Sequence, residues 1–78
     1  MRVIVECKNA RSEKIAECLD KLAYGFSLWM HDNAVYALFD VNSLIELKEI
    51  GKRLKRIRGV EFRFIKIRSL QNSEALGV

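Results

Sequence analysis

The chain has 78 residues, of which half are hydrophobic and 31% are charged, so it is expected to form one small globular domain rather than a disordered segment. No apolar run approaches the roughly 18 residues of a membrane span and no signal peptide is recognisable, so a cytoplasmic protein without membrane contact is expected. The formal net charge is +4, and residues 48–78 hold nine basic and three acidic residues, which favours an anionic partner.

The first predicted element is a strand at Arg2–Glu6, where Val, Ile and Val follow one another. Asn9 is the predicted N-cap of a helix over 10–24, and Gly25 is its predicted C′ residue. The apolar side of this helix is indicated by spacings of three and four residues at Ile15, Cys18, Leu19 and Leu22.

Residues 25–40 predict a β-hairpin with a two-residue turn at Asp32-Asn33, because both residue types tolerate positive φ. Side chains alternate between the faces of a strand. One face is therefore the predicted core side, with Phe26, Leu28, Met30, Val35, Ala37 and Phe39. The other face carries Trp29, Tyr36 and Leu38, which is unusual for a surface that meets only water.

Ser43 and Glu46 match a capping box at the start of a second helix. Its predicted buried stripe comprises Leu47, Ile50, Gly51, Leu54 and Ile57. Gly51 is expected to pack closely against the sheet, since glycine costs about 1 kcal/mol in a helix interior, and Gly59 is expected to end the helix. A fourth strand over Val60–Ile67 is either apolar on both sides or interrupted by a bulge.

The order β-α-β-β-α-β predicts an α+β ferredoxin-like fold, a four-stranded antiparallel sheet of order 4-1-3-2 with two helices on one face. Residues 1–68 form the single predicted domain, and 69–78 are expected to be a flexible C-terminal tail. The fold hosts many unrelated functions. The absence of proline together with abundant Ile, Lys, Arg and Glu is an indication of a thermophilic source.

The sheet face away from the helices is predicted to be more apolar than a small monomer tolerates. It would carry Ile4, Trp29, Tyr36, Leu38 and Ile65. A second copy packed face to face is the favoured cover, which predicts a homodimer. The alternative is a ligand or a nucleic acid stacked on the aromatic rings. A small-molecule ligand at this face would indicate a regulatory domain.

A basic surface on the second helix predicts non-specific binding to the backbone of DNA or RNA. Its residues, with one from the fourth strand, are Lys48, Lys52, Arg53, Lys55, Arg56 and Arg63. The outer side of this helix lies opposite the open sheet face, so the aromatic residues and the densest charge do not share a groove. An RNA-recognition motif would need a basic residue, glycine and an aromatic in its third strand, and Asn33–Leu38 does not match.

No cofactor or metal site is predicted, because the two cysteines, Cys7 and Cys18, lack metal-ligand spacing and are expected to be reduced and buried. Cys7 as a reactive thiol at a strand end is the alternative. A non-enzymatic role is favoured. The competing hypothesis is a small enzyme subunit, with Glu6, Cys7, His31 and Asp40 as the candidate residues, although no combination of them forms a known catalytic motif.

Overall fold

The computed structural model describes residues 1–22 and 25–67. Its elements follow the predicted order β1 (Arg2–Lys8), α1 (Ser12–Lys21), β2 (Phe26–His31), β3 (Ala34–Asp40), α2 (Leu44–Leu54) and β4 (Glu61–Ile67). All neighbouring strands are antiparallel, and the sheet order is β2-β3-β1-β4. The predicted ferredoxin-like architecture and strand order are confirmed. The predicted tail at 69–78 lies outside the described residues.

One hydrophobic core lies between the sheet and both helices. It joins alternate residues of β1 and β3 to the buried sides of α1 and α2, with Val3, Val5, Cys7, Val35, Ala37, Phe39, Ile15, Leu19, Ile50 and Leu54 among its members. Both helices therefore cover the same face and leave the other face of the sheet open. Neither described helix reaches the length and hydropathy that a membrane span requires.

The hairpin forms in the predicted register, with His31 opposite Ala34. Asp32 and Asn33 have φ of 50° and 65°, as a type I′ turn requires. The prediction for Met30 is wrong: its side chain points to the helix side but is 65% exposed. Met30 lies beside the turn on an edge strand, where β3 is its single neighbouring strand.

The predicted start and end of the first helix are wrong. Asn9 has a φ of 61°, which is incompatible with the extended backbone of an N-cap. The N-cap is Arg11, which makes no side-chain capping bond. The C-cap is Leu22, so Gly25 is not the C′ residue.

The second helix begins as predicted and ends early. Ser43 Oγ accepts a hydrogen bond from Glu46 N at 3.3 Å, and the Glu46 carboxylate accepts one from Asn42 N at 2.9 Å. The helix ends at Leu54 rather than at Gly59, because the chain turns at 55–59 before β4. β4 pairs with β1 without a bulge and is apolar on both sides, with Phe62 and Phe64 packed on the core.

Gly51 packs against β4, but less tightly than expected for a position that requires glycine in the middle of a helix. A Cβ at this position would lie 3.5 Å from Phe64 Cε2 and 3.8 Å from the Phe62 ring. These are ordinary contact distances, so there is room for a methyl group. The close approach predicted for Gly51 exists, but it does not require glycine.

Replacing Gly51 with alanine is therefore expected to stabilise the fold by about 0.5–1 kcal/mol, because alanine loses less conformational freedom in a helix. In a domain of this size, 1 kcal/mol shifts the melting temperature by about 4–8 °C, so this stabilisation is expected to raise it by a few degrees. Thermal unfolding followed by circular dichroism measures it. Gly59→Ala is the control with the opposite expected sign, since Gly59 has a φ of +79°. A lower melting temperature for Gly51→Ala would contradict the packing described.

Candidate functional site

Two rows of side chains cross all four strands on the open face of the sheet. The strand registers place Ser27, Leu38, Ile4 and Ile65 in one row, here called the Ile4 row. The neighbouring row, here called the Glu6 row, comprises Trp29, Tyr36, Glu6 and Arg63. The five residues predicted for this face all lie on it, in these two rows.

The Glu6 row is a continuous chain of contacts from one sheet edge to the other. The Trp29 and Tyr36 rings are stacked, with their centroids 5.7 Å apart and their planes 10° from parallel. The Tyr36 hydroxyl donates to Glu6 Oε2 at 2.9 Å, and Arg63 Nε donates to Glu6 Oε1 at 2.8 Å. Both carboxylate oxygens are therefore occupied, and the row is held in one arrangement.

These contacts set the ionisation of the row. The hydrogen bond from Tyr36, followed by the one from Arg63, holds the pKa of Glu6 below its ordinary value. The same bond to Glu6 raises the pKa of Tyr36. Glu6 is an ionised acceptor and Tyr36 a protonated donor at neutral pH. This is a structural role rather than that of a general acid or base, which works best with a pKa near the operating pH.

The Ile4 row supplies the apolar part of the face. Ile65 is 37% exposed and Trp29, beside this row, is 40% exposed, whereas Ile4 and Leu38 are partly buried by their neighbours. No other described element covers this side of the sheet. Isoleucine, leucine and tryptophan therefore lie side by side on an uncovered surface.

Charges on the open face are balanced. Arg2 pairs with Asp40 at 3.4 Å, and Arg63 pairs with Glu6 at 2.8 Å. The remaining charged pair of residues, Lys8 and Glu61, are partners in the β1–β4 register. A face with as many carboxylates as cations has little attraction for a phosphate backbone, which needs unneutralised positive charge.

The candidate catalytic residues are not brought together. Cys7 lies in the core, whereas Glu6 lies on the open face. His31 Nε2 contacts Asp32 Oδ2 at 3.1 Å at the exposed hairpin turn, and Asp40 is at the opposite end of β3 beside Arg2. Within residues 1–22 and 25–67, no group of three or more metal-ligating side chains is close enough to hold an ion.

Both cysteines are free and buried, as predicted. Burial raises the pKa of the Cys7 thiol to about 11, and it also raises that of Cys18. A thiolate is the nucleophilic form of cysteine. The alternative of a reactive Cys7 at the strand end is therefore disfavoured, because its side chain points into the core and stays protonated.

The six predicted nucleic-acid-binding residues are divided among three places. Lys48, Lys52 and Lys55 border a groove between α2 and β4, whose floor includes Leu47, Phe62 and Phe64. Arg53 and Arg56 line a cleft between α1 and α2. Arg63 is on the open face, where it is bonded to Glu6.

Sequence reasoning missed the residues that complete these surfaces. Lys14 and Lys21 line the same cleft as Arg53 and Arg56, together with Arg58, which belongs to the basic run that the sequence already indicated. The two lysines belong to the half of the chain with an excess of acidic residues, so the composition of that half does not indicate a basic surface. The pairing of Glu6 with Tyr36 and Arg63 follows from the strand register. The only signal in the sequence was that all three occupy outward positions of predicted strands.

No protein-family model matches the chain, and no curated protein matches it. An uncharacterized protein from Thermotoga maritima has a similar structure, with a TM-score of 0.59 and 10% sequence identity over 86% of this chain and 95% of that chain. An uncharacterized NIPSNAP domain protein from Burkholderia xenovorans aligns with a TM-score of 0.47 and 13% identity, covering 88% of this chain and 96% of that one. The first similarity supports the fold and carries no information on function.

Proposed function

We propose that this chain is a small interaction module that forms a homodimer through the open face of its sheet. The observation that carries the proposal is the composition of this face: a mainly apolar, partly exposed row next to a row in which the charges of Glu6 and Arg63 are paired. Pairing reduces the cost of taking the charges of this face out of water, and burial of Trp29, Leu38 and Ile65 supplies the gain. In the dimer the two sheets pack about 10 Å apart, with the helices outside.

The size of the face sets the expected strength of the dimer. Four strands of seven residues or fewer present a flat area of about 440 Å², so two copies would bury about 900 Å² in total. Stable complexes usually bury about 1,200–2,000 Å². The dimer is accordingly expected to dissociate on dilution, with a dissociation constant in the micromolar range.

Light scattering across a wide range of protein concentrations tests self-association. The wild type is expected to approach twice the 9.0 kDa mass of the chain at high concentration. Trp29→Glu is expected to remain monomeric, because it places an unpaired carboxylate within the buried face.

Met30→Glu is the matched control. Met30 follows Trp29 on the same edge strand and is also exposed, but it points to the other face of the sheet. It should dimerise like the wild type. A wild type that stays monomeric at millimolar concentration would exclude the homodimer. The hypothesis that the open face binds a ligand would then be favoured.

The helical layer favours a second activity, non-specific binding to a nucleic-acid backbone. Residues 48–58 contain six basic residues and one acidic residue, and they lie on the layer that a sheet-to-sheet dimer leaves free. Binding to generic DNA and RNA at low ionic strength, weakening steeply with added salt, is the expected behaviour. Salt-independent binding of a small molecule that changes Trp29 fluorescence would instead favour a ligand-binding regulatory domain.

A further inference from the structure

The cleft between the two helices concentrates positive charge contributed by both of them. It has a volume of about 420 Å³ and is lined by five basic residues, Lys14, Lys21, Arg53, Arg56 and Arg58. Glu17 is the single acidic residue among the described lining, and Cys18 and Ile57 supply apolar surface. The cleft is therefore an assembled feature of the fold, since no one segment of the sequence contains all its charges.

These five cations lack a close carboxylate partner within the described part of the chain. Among the residues that the structure describes, none of them forms an ion pair, whereas Lys52 contacts Glu49 at 3.6 Å and Arg63 contacts Glu6 at 2.8 Å. Like charges gathered around one cleft repel each other, and the repulsion is relieved when an anion enters. An anion that enters the cleft therefore meets several cations that have no close counter-charge among the described residues.

The chemistry of the lining residues favours a phosphoryl group. Arginine presents several donors in a planar fork that fits the oxygens of phosphate, and lysine adds a compact charge with flexible reach. The groove on the other side of α2 differs, because Lys48, Lys52 and Lys55 border an apolar floor there. Three arginines are found in the α1–α2 cleft and none in that groove.

We propose that the α1–α2 cleft is a phosphate-binding site and is the part of the helical layer that holds the nucleic-acid backbone. The inference rests on the proposed nucleic-acid binding for the source of the phosphate. A free phosphorylated molecule would present the same chemistry. The proposal assigns binding to residues of both helices and of the turn that follows α2, and it excludes Lys48, Lys52, Lys55 and Arg63 from direct phosphate contact.

Two triple variants with equal loss of charge test the assignment. Arg53→Gln, Arg56→Gln and Arg58→Gln remove the arginines of the cleft, and Lys48→Gln, Lys52→Gln and Lys55→Gln remove the lysines of the groove. All six side chains are exposed, so both variants should fold, as circular dichroism will verify. Fluorescence anisotropy with labelled single- and double-stranded oligonucleotides gives the affinity at several salt concentrations.

The cleft variant is expected to lose at least about tenfold in affinity at low salt. Its slope of log affinity against log salt should fall by up to about three, since each neutralised phosphate contributes about 0.9. The groove variant should keep most of the wild-type affinity, losing only the long-range attraction of its three charges. Equal losses in the two variants would overturn the assignment to the cleft while leaving nucleic-acid binding intact.

A titration of the isotope-labelled wild type with inorganic pyrophosphate, followed by amide chemical shifts, separates the two sources of phosphate. Shifts confined to residues 14–21 and 53–58 without oligonucleotide binding would support the cleft and contradict the proposed nucleic-acid function. Oligonucleotide binding with shifts in these same segments supports both. If pyrophosphate causes no shifts and no oligonucleotide binds, both the phosphate site and the nucleic-acid function are overturned.

Discussion

Replacing Ile50 with alanine is expected to lower the free energy of unfolding by about 2–5 kcal/mol, because it leaves a cavity in a closely packed core. Ile50 is fully buried between α2 and the sheet. A domain of this length has a total stability of about 4–12 kcal/mol. The substitution therefore removes a large part of the stability, and the variant is expected to be partly unfolded at moderate urea concentrations.

Ile45 offers a matched control on the same helix. It is 74% exposed, so Ile45→Ala should change stability by no more than about 0.5 kcal/mol. Urea unfolding monitored by circular dichroism measures both variants. Equal destabilisation by the two substitutions would show that α2 is rotated from its described orientation. The measurement is best made at two protein concentrations, because dimerisation stabilises the folded state by mass action.

The elements that sequence reasoning predicts well are those governed by neighbouring residues. The hairpin turn depends only on the tolerance of Asp32 and Asn33 for positive φ, and the cap of α2 depends on Ser43 and Glu46 within one helical turn. The buried stripes follow from helical spacing. Together with the short connections, these local features restrict the chain to one topology, which is why the strand order is predictable.

Element ends are less predictable because several local solutions compete. Asn9 is a favourable N-cap by residue type, and the same side chain tolerates the left-handed backbone that it adopts here. Its amide instead donates to Glu61 at 3.3 Å, a residue of β4. Asn9 therefore adopts a turn conformation rather than that of an N-cap, and it contacts a distant strand. Such a contact cannot be read from the residues that surround Asn9 in the sequence.

The functional surfaces depend even more on distant residues. Arg63 and Glu6 are 57 positions apart and meet because β4 lies beside β1. The basic cleft needs α1 and α2 side by side before its lysines and arginines share one surface. Parity along each strand predicts which face a residue occupies. It does not predict which charges neutralise each other there, and that distinction separates the neutral open face from the basic cleft.

The neutral pairing on the open face leads to the prediction with the largest expected effect on assembly. In the proposed dimer, Glu6→Gln would leave the Arg63 guanidinium in a buried seam without a carboxylate. Arg63→Gln would leave the Glu6 carboxylate with only the Tyr36 hydroxyl as its donor. Each single substitution is expected to raise the dissociation constant of the dimer by about tenfold or more.

The double variant Glu6→Gln/Arg63→Gln removes both charges, and the amide oxygen introduced by Glu6→Gln can still accept a hydrogen bond from Tyr36. It should dimerise more tightly than either single variant, and sedimentation equilibrium can measure this coupling.

Wild-type dimerisation should also weaken in acid. Because the pKa of Glu6 is already lowered in the monomer, its carboxylate stays ionised until the pH falls below the ordinary range of a glutamate. Dimerisation is expected to weaken below that range, where protonation leaves Arg63 without a charged partner in the seam. Glu6→Gln should lack this acid dependence. If all three variants dimerise like the wild type while Trp29→Glu does not, the seam involves the edge of the face around Trp29 rather than the Glu6–Arg63 pair.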